Sequence, residues 1–225
     1  MNGNLLSAIY RGQSFARAWM NLRLGATTVD GLTVDLGTGG SHNFDLMRRS
    51  DSARVLTVDL WPEAGPDLVA NLESPLPLAS ASVDNIMLLN VLEHIYGYEQ
   101  LLCEAGRALR PGGRLILFVP FLYPVHTAQR GETFTADYLR WTDHALVNLL
   151  VGSAGFSGTI QVAALDLGPF TAAVSMITPL IRWGAPRAAV AWFALALDRF
   201  VRWVRGASHS KDTKWVIGYF VQATK

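Results

Sequence analysis

Cysteine is almost missing from this chain: Cys103 is the single one among 225 residues, and that excludes an internal disulfide. It lies in "EQLLCEAGRALRPGG", on an expected helix, where a thiol is expected to behave as a small buried hydrophobe. Lysine is absent before Lys211, so no G-K-[ST] phosphate loop can form in the body of the chain. The five histidines are scattered and stand apart from the cysteine, so no metal is expected. Long apolar runs are absent too. The longest, "AAVAWFALAL" at 188–197, falls short of the roughly 20 residues a bilayer core requires. The N-terminus shows no apolar signal region and no cleavage pattern. A cytoplasmic location is expected, with membrane association left open. Net charge is only +1, so no global field points to nucleic acid. The charge is unevenly placed, however. Residues 182–214 hold seven basic against two acidic side chains, a basic patch on an otherwise acidic chain.

What is present is a greasy globular composition, 50% hydrophobic and 16% charged. Residues 4–24 are predicted as one amphipathic helix, with Leu5, Ile9, Phe15, Trp19 and Leu22 apolar and Arg11, Arg17 and Arg23 between them. Strands then alternate with helices. Strands are expected at 32–36, 54–60, 83–91, 114–120, 158–165 and 214–224, with a short strand or loop at 67–72. Helices are expected from the glycines through "NFDLMRR", at 98–110 and at 145–155, the last stopped by Gly155. Near-continuous apolar strands separated by helices indicate an α/β, doubly wound, mostly parallel sheet covered on both faces. One domain of residues 1–225 is expected: an N-terminal helical segment (1–30), a ligand-binding core (31–165), a helical insertion (166–213) and the last strand (214–225).

The chemistry centres on "TVDLGTGGSH", 33–42. In a doubly wound sheet, ligands bind at the carboxyl ends of the strands, most often on the first βα turn. The dinucleotide fingerprint G-x-G-x-x-G places its third glycine where this chain has His42, which disfavours a nicotinamide oxidoreductase. Asp35, two residues before Gly37, stands where a ligand's cationic amino group could be held. Asp59 ends the second strand about 20 residues past the glycines, where a carboxylate accepts both hydroxyls of a ribose.

With these motifs the chain resembles the class I S-adenosylmethionine-dependent methyltransferases, of the small-molecule type 11-like kind. "VDLGTGG", "VDLW", "ANLESPLPLASASVDNIMLLNVLEHI" and "ALRPGGRLILFVP" match in order and spacing, from about Thr33 to Phe156 and again in the last strand. The resemblance implies a Rossmann-like seven-stranded sheet with its last strand antiparallel, and S-adenosyl-L-methionine as cofactor. It implies that Asp35 holds the methionine amino group. Gly37, Thr38 and Gly39 would let the backbone approach, Asp59 would bind the ribose, and Leu60 would pack on the adenine. Asn71 stands where the family usually has Asp, and its amide oxygen would accept from the adenine amino group. Leu72 would offer its N–H, and Asn90 would lie beneath the sulfonium.

Strand four ends "LLNVLEHI", without the [DN]-P-P-[YFW] of methyltransferases that act on DNA bases, so a nucleic-acid acceptor is not expected. Glu93 and His94 fit the small-molecule pattern. "PFLYPVHTAQRGETFTADYLRWTDHAL" is similar to a subgroup found beside glycan and lipopolysaccharide enzymes, which points to a small-molecule or glycan acceptor, at a hydroxyl oxygen. Tyr123, Asp137, Tyr138 and Arg140 are the substrate-side candidates. His126 is the first candidate base and His94 the second. Packing the loop is the plainer role for Tyr138 and Arg140, and capping the next helix the plainer one for Thr142 and Asp143. The alternative is a protein that binds S-adenosylmethionine or a related nucleoside without transferring methyl. Three fates are open for the apolar helix near 187–205: a lid, a homodimer interface, or peripheral membrane contact. Its apolar circumference predicts burial, and its arginines favour the membrane more than a plain core helix would.

Overall fold

In the computed structural model, which describes residues 2–130, 133–152, 155–205 and 214–225, seven strands form one sheet. They are β1 (Leu32–Leu36), β2 (Arg54–Asp59), β3 (Leu68–Val69), β4 (Val83–Leu89), β5 (Leu109–Pro120), β6 (Ile160–Asp166) and β7 (Val216–Thr224), in the order β6-β7-β5-β4-β1-β2-β3. The order reverses at β1, which pairs in parallel with β2 on one side and β4 on the other. Strand β7 is antiparallel: Lys225 N–H donates to Gly113 O on β5, and Phe121 N–H, just past the end of β5, donates to Ile217 O. The architecture is the Rossmann-like one that the motifs implied.

Compact packing divides the chain in two. One unit, the sheet unit, comprises residues 24–119, 125–163 and 220–225. Val34, Leu36, Ile86, Met87, Leu88, Ile116 and Phe118 are fully buried in it, as two-sided coverage of a parallel sheet requires. Helix α3 (Tyr98–Ala108) turns Leu101, Leu102, Ala105 and Ala108 inward. Its Arg107 pairs with Glu104 and donates to the carbonyls of Leu76 and Leu78, which ties down the loop that follows β3. Thr142 accepts from Ala145 N–H at the start of α4 (Asp143–Gly152), so it caps that helix.

The other unit, the helical unit, comprises the described residues of 1–23, 120–124 and 164–219. It contains α1 (Asn2–Tyr10), most of α2 (Phe15–Gly25), α5 (Pro169–Ile177) and α6 (Gly184–Arg205). The Asp198 carboxylate on α6 is 1% exposed and accepts from the N–H groups of Phe170 and Thr171 at 3.0 and 2.7 Å, capping α5 from a distance. Arg187 donates to the carbonyls of Ile9 and Ile181.

Four expectations from the sequence are corrected. The helix over 4–24 is two helices: Gly12 adopts φ +103°, Gln13 N–H returns to Ala8 O, and Ser14 Oγ caps α2 through Arg17 N–H. The helix after the glycines is a single 3₁₀ turn, Asn43–Leu46. The chain then runs extended, because Arg48–Arg49 pair with Thr28–Val29. Cys103 is exposed rather than buried, on the outer face of α3. The burial of α6 within the chain is only partial: Ala191, Ala194 and Leu195 are buried, while Trp192, Phe193, Phe200 and Trp203 are exposed. The expected helix at 145–155 runs Asp143–Gly152, while residues 153 and 154, and the insertion's 206–213, lie outside the described residues.

Candidate functional site

The site lies in the sheet unit at the carboxyl ends of β1, β2 and β4, where the strand order reverses. The cavity there is lined by Gly37, Gly39, Asp59, Leu60, Asn71, Leu72 and Asn90, all singled out in the sequence. His94 is on its wall as well, with Trp61, Val91, Ile95 and Thr135, which the sequence did not single out. Trp61 and Val91 lie just past the ends of β2 and β4, so their positions were a usable signal.

The turn after β1 is built on two constraints. Gly37 has φ +75°, and a Cβ there would stand 2.6 Å from Val91 Cγ2. Only glycine satisfies both. Gly39 N–H donates to Asp59 Oδ2 at 2.7 Å, and Trp61 N–H to Asp59 Oδ1 at 3.0 Å. The carboxylate at the end of β2 is thereby fixed beside the glycine turn. Each oxygen keeps a second lone pair, enough to accept a hydroxyl. Asn71 Oδ1 accepts from Glu73 N–H at 3.0 Å, so its amide orders its own turn. Asn90 holds φ +57° at the end of β4, an uncommon conformation for a side-chain-bearing residue and one that clusters at functional sites.

Asp35 and Thr38 are buried and are not among the residues that line the cavity. Burial raises the Asp35 carboxyl to about 7, and the nearby Asp59 charge adds to the rise.

Beyond Asn90, a polar cluster joins two loops. Tyr138 N–H donates to Glu93 O at 2.8 Å, and the Tyr96 and Tyr138 rings meet edge to face. The side chain of Asp137 is 1% exposed. It pairs with both guanidinium nitrogens of Arg140 and accepts from His126 N–H at 3.0 Å. Burial pushes its carboxyl up, but these partners outweigh that and hold it at about 2. His126 Nδ1 stands 3.0 Å from the same carboxylate. His94 Nδ1 lies 2.7 Å from Ala136 O, and its Nε2 lies 3.2 Å from His126 Nε2. Burial holds the His94 pKa below its usual value. Glu93 is fully buried, with no hydrogen-bond partner on either carboxylate oxygen among the described residues. Burial raises its carboxyl to about 8, against the pull of the Arg140 charge. Tyr123 belongs to the helical unit, where its electrostatic partner is Arg17.

Residues 34–117 match the family model of the methyltransferase domain. The matched stretch, just over a third of the chain, is similar to a methyltransferase domain. Its fold is shared with a methyltransferase of Thermotoga maritima described as a possible histamine N-methyltransferase, at 15% identity and a TM-score of 0.55 over 96% of this chain and 91% of that one. It is shared with an S-adenosylmethionine-dependent methyltransferase of Mesorhizobium loti at 18% identity and 0.53, over 93% and 98%. A [4+2]-cyclase has it as well, at 16% identity and 0.57, over 95% and 83%. An uncharacterized 37.1 kDa protein in a transposon of Streptomyces fradiae is 27% identical over 169 residues, 66% of this chain and 46% of that protein. The chain thus spans about half the length of this curated relative. The cavity suits S-adenosylmethionine: a carboxylate for the ribose, apolar walls from Leu60, Leu72 and Ile95, and a glycine turn held open by the Gly37–Val91 contact.

Proposed function

We propose that this protein transfers the methyl group of S-adenosylmethionine to a hydroxyl oxygen of a small-molecule or glycan-type acceptor. The observation that carries the reading is His94 on the cavity wall with His126 against it, beyond the cofactor-contacting residues. The cofactor supplies an activated methyl. The protein's part is to hold the acceptor oxygen in line and to take its proton. Holding two reactants in line is worth roughly 7–11 kcal/mol, and a placed base adds about 10²–10⁴-fold. As the oxygen bonds to the methyl carbon, the carbon–sulfur bond breaks, its electron pair stays on sulfur, and the hydroxyl proton passes to imidazole. His126 suits the base role because Asp137 stabilises the imidazolium that forms.

In this reading Asp59 binds the ribose diol, Leu60 and Leu72 flank the adenine, and Asn71 and Asn90 order the turns around it. Asp35 and Thr38 act from behind the cavity wall, Asp35 on the methionine amino group through water. Tyr138 and Arg140 face the acceptor side. No nucleic-acid acceptor and a cytoplasmic location belong to the same reading.

A protein that binds the cofactor without transferring methyl is the second reading, since a [4+2]-cyclase shares the fold. Labelled S-adenosylmethionine offered with a panel of hydroxylated small molecules and oligosaccharides tests the proposal. Label in an acceptor, and a His126→Ala variant that loses turnover while keeping S-adenosylhomocysteine affinity, support it. Cofactor binding without transfer to any acceptor favours the second reading, and a preference for NAD over S-adenosylhomocysteine removes both.

A further inference from the structure

The two histidines meet in an arrangement that calls for a cation. Ala136 O can only accept, so His94 Nδ1 must carry the hydrogen of their 2.7 Å contact. The ionised Asp137 carboxylate likewise makes His126 Nδ1 the donor. A neutral imidazole protonated at Nδ1 has a lone pair at Nε2. The two Nε2 atoms therefore turn lone pairs toward each other at 3.2 Å. Two nitrogens that share a tetrahedral metal at about 2.0–2.1 Å stand about 3.3 Å apart. The third member is Glu93, whose Oε1 lies 4.0 Å from His94 Nε2. One ligand atom from each of the three residues lies within 4.8 Å of the other two. A proton shared between the histidines would leave both buried oxygens of Glu93 without a hydrogen-bond partner among the described residues, whereas a metal engages all three groups.

We propose that Glu93, His94 and His126 bind a divalent transition metal of the zinc type, with Ala136 O and Asp137 as the outer partners that fix the two histidine tautomers. Carboxylate or carbonyl acceptors on the far nitrogen are the usual support of a metal-bound histidine. A small carboxylate movement completes the set. Two nitrogens and one oxygen leave a coordination position open, the pattern of catalytic rather than structural zinc. Because His94 is also on the cavity wall, the open position borders the cofactor. The inference rests on the methyl-transfer reading and deepens it: an acceptor hydroxyl bound there would lose its proton to water more readily, and His126 would serve as ligand rather than base.

Metal-stripped protein titrated with Zn²⁺ by calorimetry, and with Co²⁺ followed by its visible absorption, tests this. One equivalent is expected, with affinity at least 10-fold weaker in His94→Ala, His126→Ala and Glu93→Gln, and 10–100-fold weaker in Asp137→Asn. The melting temperature of each variant shows that the fold is intact. Failure to bind either metal, or unchanged affinity in folded variants, overturns the site. Full methyl transfer by the stripped protein also overturns it, and leaves the methyltransferase reading standing.

A separate observation concerns α6. Trp192, Phe193, Phe200 and Trp203 occupy an arc of about 100° on this helix, at 3.6 residues per turn, and are 59–78% exposed. Arg199 and Arg202 are exposed beside that arc. The helix's single acid, Asp198, is buried on the opposite side as the cap of α5. No described helix is long and apolar enough to cross a membrane. We infer that this face docks on an anionic lipid surface, with aromatic rings at the headgroup boundary and arginines on phosphates. Large apolar groups flanked by cations, with no exposed acid, are the pattern of an interfacial helix.

Flotation with phosphatidylcholine vesicles, with and without phosphatidylglycerol, tests it. Binding is expected only with the anionic lipid, weakened by high salt, and at least 10-fold weaker in Trp192→Ser/Phe193→Ser. Absent binding, binding that ignores the substitution, or a dimer in light scattering that the same substitution dissolves would each overturn it.

Discussion

Asp59 accepts the N–H of Gly39 at 2.7 Å across 20 residues of sequence, so the acid at the end of β2 and the glycine turn after β1 form one rigid unit. The first prediction follows from that bond. Asp59→Ala removes the ribose acceptor and also leaves the Gly39 and Trp61 N–H groups unpaired. Hydrogen bonds to a charged group are worth about 1.5–3 kcal/mol, so S-adenosylhomocysteine affinity in calorimetry is expected to fall by about 10–100-fold. Equal binding by the variant would remove Asp59 from the site.

Gly37→Ala should damage the cavity. Its Cβ would meet Val91 at 2.6 Å with the backbone at φ +75°. Left-handed strain costs roughly 1–2 kcal/mol and overpacking about 1–3 more. A lower melting temperature and weaker cofactor binding are expected. Adding Val91→Ala should recover the packing part and leave the backbone part. If the double variant is no better than the single one, the clash is not what demands glycine.

The buried Asp35 makes stability depend on pH. Its carboxyl titrates at about 7 when folded, above its ordinary 3.8. Below pH 3.8 both states are protonated. Between 3.8 and 7 the folded state binds more protons than the unfolded one, so stability falls as pH rises through that window and levels off above 7. The whole loss is on the order of 4 kcal/mol. Asp35→Asn should flatten this part of the curve in denaturant titrations from pH 5 to 8. An unchanged slope would assign the pH dependence to other groups.

Asp198→Ala should destabilise the helical unit by about 1–3 kcal/mol, since it strands two N–H groups at the start of α5, that of Thr171 buried and that of Phe170 half-buried. Asp198→Asn should recover part of that, because an amide oxygen still accepts. Urea unfolding followed by tryptophan fluorescence reports it, as Trp183, Trp192 and Trp203 all lie in this unit. A silent alanine variant would mean that α5 does not depend on this cap.

The two-helix start was legible and missed. Gly12 and Ser14 are ordinary stop and start signals, and the apolar spacing of Leu5, Ile9, Phe15 and Trp19 simply ran across them. The absent helix after the glycine turn was not legible in the same way. "NFDLMRR" has an acceptable helical composition, and what overrides it is the pairing of Arg48–Arg49 with Thr28–Val29, a contact made outside its own stretch of chain.

Local sequence determined the sheet, the glycine turn and the acid after β2. A buried parallel strand needs a continuous apolar run, and Gly37 and Asp59 act through backbone geometry within a few residues of a strand end. Tertiary structure alone decided the cluster of Glu93, His94 and His126. Its two histidines are 32 residues apart on different loops, and nothing in either loop's composition states that their nitrogens meet. It also decided which apolar face of α6 was left uncovered. A helix's pattern shows that a face is apolar, but only the packing of the remaining chain determines whether anything is left to cover it.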